Sequence, residues 1–147
     1  VASFTFTREI AAPADVVFGV LTDHRRYADL TPLRKSVLER EGDPAPNGVG
    51  AIRKLTAVGP ALREEVIAYE PPSRFSYTLL SGLPVRDHVG TVELTPNGSG
   101  TTMVYAVRTH PTVPVAGAVV VAAVKQGVKG LVDGVVAESE RRAAAGG

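Results

Sequence analysis

The chain has 147 residues, 16 basic and 15 acidic side chains, a formal net charge of +1, and no cysteine. That length predicts a single domain spanning residues 1–147, and 44% hydrophobic with 21% charged residues is a globular composition. Disulfide frameworks, thiolate zinc sites and cysteine nucleophiles are excluded, and the near-neutral balance offers no footprint for nucleic acid.

Ser3 to Ile10 alternates Phe4, Phe6, Arg8 and Ile10 against Thr5, Thr7 and Glu9. That is the period-two mark of a strand, not the apolar run of an export signal. Pro13 suits the first position of a helix whose apolar side is Val16, Val17, Val20 and Leu21. Asp23 is placed to cap a second short helix carrying Tyr27 and Leu30, which Thr31-Pro32 would stop. His24 and His110 read as surface residues.

From about Arg34 to Thr109 the pattern predicts six consecutive strands. Their turn signals are Gly42 to Gly48, Gly59-Pro60, Glu70 to Ser73, Ser81 to Pro84 and Pro96 to Ser99. Short turns between successive strands imply an antiparallel meander. The last element is a helix from about Val115 to Arg142, with Val120, Val124, Val128, Leu131 and Val135 as its apolar stripe. Ala143 to Gly147 reads as a frayed tail. The apolar run from Val113 to Val124 is broken by Pro114 and Gly117. It falls short of the roughly 20 residues that span a bilayer, so no membrane span and a cytoplasmic location are expected. The excess of arginine over lysine, with abundant Ala, Val and Gly, reads as a GC-rich genome.

The segments IAAPADVVFGVLTDHRRY at 10–27, NGVGAIRKL at 47–55, REEVIAYEPPSRFSY at 63–77, and GTVEL with GSGTTMVYAV within 90–107 are jointly specific in this order. In them the chain resembles the START-like, or SRPBCC, helix-grip superfamily, within it the bacterial polyketide cyclase/dehydrase and lipid-transport type. The resemblance implies an α+β fold, with a seven-stranded curved antiparallel sheet wrapped around a long C-terminal helix and two short helices after the first strand. It also implies a cavity between sheet and helix for an apolar small molecule.

Turn positions set register, and register decides which side chains share a face. With Gly59-Pro60 as a two-residue turn, Val58 faces Ala61, Leu55 faces Glu64, and Arg53 faces Val66. One face then holds Ala51, Arg53, Leu55, Leu62, Glu64, Val66 and Ala68; Ile52, Ile67 and Tyr69 lie on the other. The next loop sets Ala68 against Phe75, Val66 against Tyr77 and Glu64 against Leu79, which makes this the inner face. The last hairpin pairs Val92 with Met103, Gly90 with Tyr105 and His88 with Val107 inside, and Asp87 with Arg108 outside. Ile52, Ile67, Val89, Val104 and Ala106 would then be exposed, which suggests a covering loop or a homodimer contact on the outer face.

Arg53, Glu64 and His88 are the polar groups on the inner face, and buried charges need partners. Together with Tyr77 and Tyr105 they would form the polar end of the implied cavity and orient a ligand carbonyl, hydroxyl or carboxylate. The plain alternative is a structural ion pair at a sheet edge, with His88 as a satisfied core residue. All three are also the candidate catalytic residues, His88 as general acid or base. Leu55, Val66, Phe75, Leu79, Gly90, Val92 and Met103 complete the strand side of the candidate ligand-binding set. Gly127, Gly130 and Gly134 flank the helix stripe and, with Leu131, would let a ligand lie along the helix; tight packing is the alternative. No metal or other cofactor is expected.

The sequence therefore predicts a binder or carrier of a hydrophobic small molecule such as a lipid, polyketide or isoprenoid-like compound. An aromatase/cyclase or dehydrase acting on a poly-β-keto chain is the second reading, and a protein-interaction or stress-response module the third. The resemblance places a key arginine on the fourth strand and a tyrosine after the second helix of the aromatase/cyclases. Here those places hold Ala68 or Tyr69 and Arg34, with Arg53 on a neighbouring strand as the substitute.

Overall fold

The computed structural model of the protein describes residues 1–30, 33–57 and 59–146. The expected helix stop at Thr31-Pro32, the pairing of Val58 with Ala61, and Gly147 of the tail lie outside the described residues. Strand β1 (Ala2–Ile10) leads into α1 (Ala14–Leu21), a 3-10 turn (His24–Arg26) and α2 (Tyr27–Leu30). Then come β2 (Lys35–Arg40), β3 (Ile52–Thr56), β4 (Leu62–Glu70), β5 (Arg74–Ser81), β6 (Val85–Asn97), β7 (Gly100–Pro111) and α3 (Gly117–Gly146). The strands form one antiparallel sheet in the order β1-β7-β6-β5-β4-β3-β2, curved around α3 as expected. No helix among the described residues is long and apolar enough to cross a membrane.

Pro13 is the N-cap of α1 rather than its first residue, with extended backbone and its carbonyl accepting from Val17 N at 3.1 Å. The buried side of α1 is Val17, Phe18, Val20 and Leu21, and Val16 is only half-buried. Phe18 goes inside because Tyr69 meets it edge-on, with ring centroids 5.2 Å apart.

Helix α3 begins two residues later than predicted and continues to Gly146, into the tail expected to fray. Arg141 Nη2 and Arg142 Nε lie 2.6 and 2.7 Å from Glu138 Oε2, pairs at helical spacing that support the last turns. Its buried line is Val124, Val128, Val132, Val135 and Ser139, so Leu131 stands one position off it. The C-terminal half is fastened down: Ala11 N donates to Glu140 Oε2 at 2.9 Å, and Arg8 Nη2 lies 3.8 Å from Asp133 Oδ1. The N-terminal half has no such ties to the strands opposite it among the described residues.

Two predicted registers are off by two residues. The β3–β4 connection occupies residues 57–61, so Arg53 faces Glu64 and Leu55 faces Leu62. The β6–β7 hairpin closes on Gly98-Ser99, pairing Leu94 with Met103, Val92 with Tyr105 and Gly90 with Val107. Side chains alternate with period two, so an even slip leaves every residue on its predicted face.

Odd irregularities behave differently. A bulge between Val66 and Ala68 pairs Ala68 with Ser76 and Tyr69 with Phe75, which turns Tyr69 inward against prediction. The two-residue slip of the β6–β7 hairpin already sets Arg108 opposite Val89, so the expected Asp87–Arg108 pair does not form; a one-residue shift follows between Arg86 and Val89. On the outer face Ile67 and Val104 are 46% and 36% exposed, and Val89 and Ala106 are half-buried. Ile52, expected outside as well, is buried: Arg40 and Glu65, its neighbours on either side, join above it at 3.0 Å.

Candidate functional site

A cavity of about 210 Å³ lies between the N-terminal half of α3 and strands β3 to β6. Its sheet side is Leu55, Leu62, Glu64, Tyr77 and His88, and its helix side is Ala123, Val124, Gly127, Val128 and Leu131. Leu33, Ala57 and Leu83 close the ends from the loops. Among the described residues, polar side chains reach the wall only at Glu64, Tyr77 and His88. The helix side of the hollow carries mostly small residues, Ala123, Val124, Gly127 and Val128.

The predicted binding set divides on this geometry. Leu55, Glu64, Tyr77, His88, Gly127 and Leu131 line the cavity. Val66, Phe75, Val92, Met103 and Tyr105 belong to the packed core beside it. Leu79, paired with Glu64, is half-buried off the wall, as are Gly130 and Gly134 on α3. Gly90 sits under the ring of Tyr77, not Tyr105: a Cβ there would come within 2.4 Å of Tyr77 Cζ. Missing from the predicted set are Leu33, Ala57, Leu62, Leu83, Ala123, Val124 and Val128. Leu83 carried a readable signal, an apolar side chain in an otherwise polar turn.

Arg53 does not line the cavity; it stands behind Glu64. Its Nε donates to Glu64 Oε1 at 2.8 Å, and Nη2 lies 2.7 Å from the same oxygen but off the N–H direction. The guanidinium carbon is 4.5 Å from the Tyr27 ring centroid, 4.9 Å from Tyr77 and 5.7 Å from Phe75. With 1% of Arg53 and 5% of Glu64 exposed, this is a buried ion pair enclosed by aromatic faces. Burial works against the charge of Arg53, but Tyr27 and Glu64 more than offset it and hold its pKa above the ordinary arginine value.

His24 is fully buried, not a surface residue. Arg53 Nη1 donates to its Nδ1 at 3.4 Å, which leaves the proton on Nε2 to donate to Asn47 O at 3.1 Å. Burial first, then the Arg53 charge, depress its pKa to about 3. Sequence gave one sign of this, since His24 and Tyr27 at i,i+3 share a side of the turn. Tyr27 O–H donates to Leu21 O and closes that turn onto the core.

On the opposite flank the hydroxyls of Tyr77 and Tyr105 share a hydrogen bond of 2.7 Å, and burial raises the pKa of both. His88 Nδ1 is 3.0 Å from Thr109 Oγ1, while Nε2 has no hydrogen-bond partner among the described residues. Burial lowers the His88 pKa, with Glu64 acting weakly the other way, so the ring is neutral at pH 7. His110, the third histidine, is half-buried on β7 away from the cavity.

The model of a family described as polyketide cyclase/dehydrase and lipid transport matches residues 1–143. No curated protein matches the sequence. Among solved structures, the Zhui aromatase/cyclase from Streptomyces sp. R1128 superposes with a TM-score of 0.79 at 23% identity, over 99% of this chain and 98% of that one. A START superfamily protein from Mycobacterium smegmatis gives 0.80 at 14% identity, over 95% and 97%. The di-domain ARO/CYC StfQ of the steffimycin biosynthetic pathway gives 0.77 at 16% identity, over 97% of this chain and 51% of that one. At these identities the likeness is one of fold.

Proposed function

The chain belongs to the polyketide cyclase/dehydrase and lipid-transport family, and from that premise we propose that its cavity takes up and carries a hydrophobic small molecule. The carrying observation is the cavity wall: aliphatic on nearly every side, with Glu64, Tyr77 and His88 gathered on the sheet. Affinity would come from apolar burial, at about 25 cal/mol per Å² before ordering costs. For scale, an engineered cavity of about 150 Å³ in another protein admits benzene, so a space of about 210 Å³ suits a bicyclic compound or a short branched chain. Native mass spectrometry of protein purified from its own host tests this. A co-purifying small molecule lost from a Leu131→Trp variant supports the reading; protein empty under all gentle conditions argues against it.

Cyclase or dehydrase chemistry in the same cavity is the second reading. It is favoured by His88, a neutral imidazole on the wall whose Nε2 has no hydrogen-bond partner among the described residues. Carriage is preferred because Arg53, the cation that would polarise a ketone, is shut behind Glu64 and the tyrosine rings. Formation of a dehydrated or cyclised product from a small β-hydroxyketone, abolished by His88→Phe, would reverse that preference.

A further inference from the structure

We propose that the molecule this cavity selects is neutral and carries a hydroxyl, which donates a hydrogen bond to Glu64. The inference rests on the cavity being a ligand site, as read above, and adds the chemistry of the ligand's head. Both contacts from Arg53 fall on Oε1 of Glu64. The other oxygen, Oε2, has no hydrogen-bond partner among the described residues, although Glu64 is only 5% exposed and lines the cavity. A ligand that displaces solvent from this carboxylate oxygen must bring a donor of its own, or leave the oxygen unmet in an aliphatic wall at a cost.

The same arrangement rejects ions of either sign. A ligand carboxylate or phosphate entering the cavity meets Oε2 first, a like charge in a low-dielectric wall. Arg53, bonded to Oε1 and enclosed by Tyr27 and Tyr77, makes the pair neutral as a whole, so no net positive charge is left to repay the anion's desolvation. A ligand ammonium fares no better, because Arg53 has neutralised Glu64 and the remaining wall is apolar. A hydroxyl avoids both penalties. It donates to Oε2, and its own lone pairs remain for His88 Nε2–H or the Tyr77 hydroxyl, whichever proton arrangement the ligand selects.

Four probes sharing one ring system separate these cases: 2-naphthol, naphthalene, 2-naphthoate and 2-naphthylmethylammonium, titrated at pH 7. The chain has no tryptophan, so naphthyl fluorescence reports binding directly. The expected result is 2-naphthol bound at least about tenfold more tightly than each of the other three, as a hydrogen bond to a carboxylate provides. Equal affinity for naphthol and naphthalene, or tighter binding of either ion, overturns the proposal and leaves the cavity reading standing. Failure of all four to bind overturns the cavity reading with it. In the double variant Arg53→Met/Glu64→Leu the naphthol preference should vanish while naphthalene binding persists; a preference that survives there also overturns the proposal.

Discussion

Gly90 and Tyr77 face each other across β5 and β6 so closely that the Tyr77 ring occupies the place of a side chain on Gly90, 2.4 Å from an added Cβ. The glycine is what lets a tyrosine lie flat against the sheet, with its hydroxyl on Tyr105 and one edge on the cavity. Gly90→Ala should therefore push the ring into the cavity. The expected cost is about 1–3 kcal/mol of stability by denaturant titration, together with weakened ligand binding. An unchanged denaturation midpoint would mean that Tyr77 has somewhere else to go.

Breaking the Arg53–Glu64 pair one partner at a time should differ sharply from removing both. Arg53→Met or Glu64→Leu alone leaves a buried charge uncompensated, at roughly 3–5 kcal/mol. The double variant should recover most of that loss, since apolar residues of similar volume fill the site among Tyr27, Phe75 and Tyr77. Urea unfolding of all four proteins measures the coupling. Additive losses would show that the pair is not closed off from water.

Stability should fall in mild acid because of His24. Its folded pKa is about 3 against an unfolded value near 6.5, so below pH 6.5 the unfolded chain takes up a proton that the native state refuses. The stabilisation is complete above the unfolded pKa and is lost as pH falls towards 3, by about 2 kcal/mol between pH 7 and pH 5. His88 shifts in the same direction and adds to the loss. Ordinary carboxylate pKa values, about 4, lie below this window, and the loss expected within it is that of His24 and His88. A His24→Gln variant should flatten the dependence between pH 7 and 5; a slope unchanged in that variant would sink the assignment.

Gly127 stands at the mouth of the cavity with nothing within 4 Å of an added Cβ. Gly127→Leu should leave the melting temperature unchanged or raise it, because leucine favours a helix over glycine by roughly 0.5–1 kcal/mol. Its side chain would obstruct the opening, and ligand affinity should drop about tenfold or more. Affinity equal to wild type would place the ligand's route elsewhere.

Much of this architecture was open to reading from the residues themselves. Period-two alternation located the strands, turn residues bounded them, and the valines of α3 marked the helix that covers the sheet. Even the slips at the β3–β4 and β6–β7 turns left Arg53, Glu64, Tyr77 and His88 on the inner side, because a two-residue error cannot change a side chain's face. Single-residue events escaped: the bulge at Ile67 that turns Tyr69 inward, and the shift between Arg86 and Val89, have no signature in hydrophobic pattern.

Which inward residues meet an empty space and which meet one another was decided only by tertiary packing. Periodicity reports a face, whereas a cavity depends on how far α3 stands from that face along its length. Glu140 and Asp133 meet the β1 end on one side, and the hollow lies beside the other half of the helix. Likewise the chain order could place Arg53 and Glu64 within reach, but only the arrival of His24 and Tyr27 from a distant turn converts them into an enclosed pair beside the cavity. Local sequence governs backbone and facing; the distances between elements, on which burial and charge depend, come from the whole chain at once.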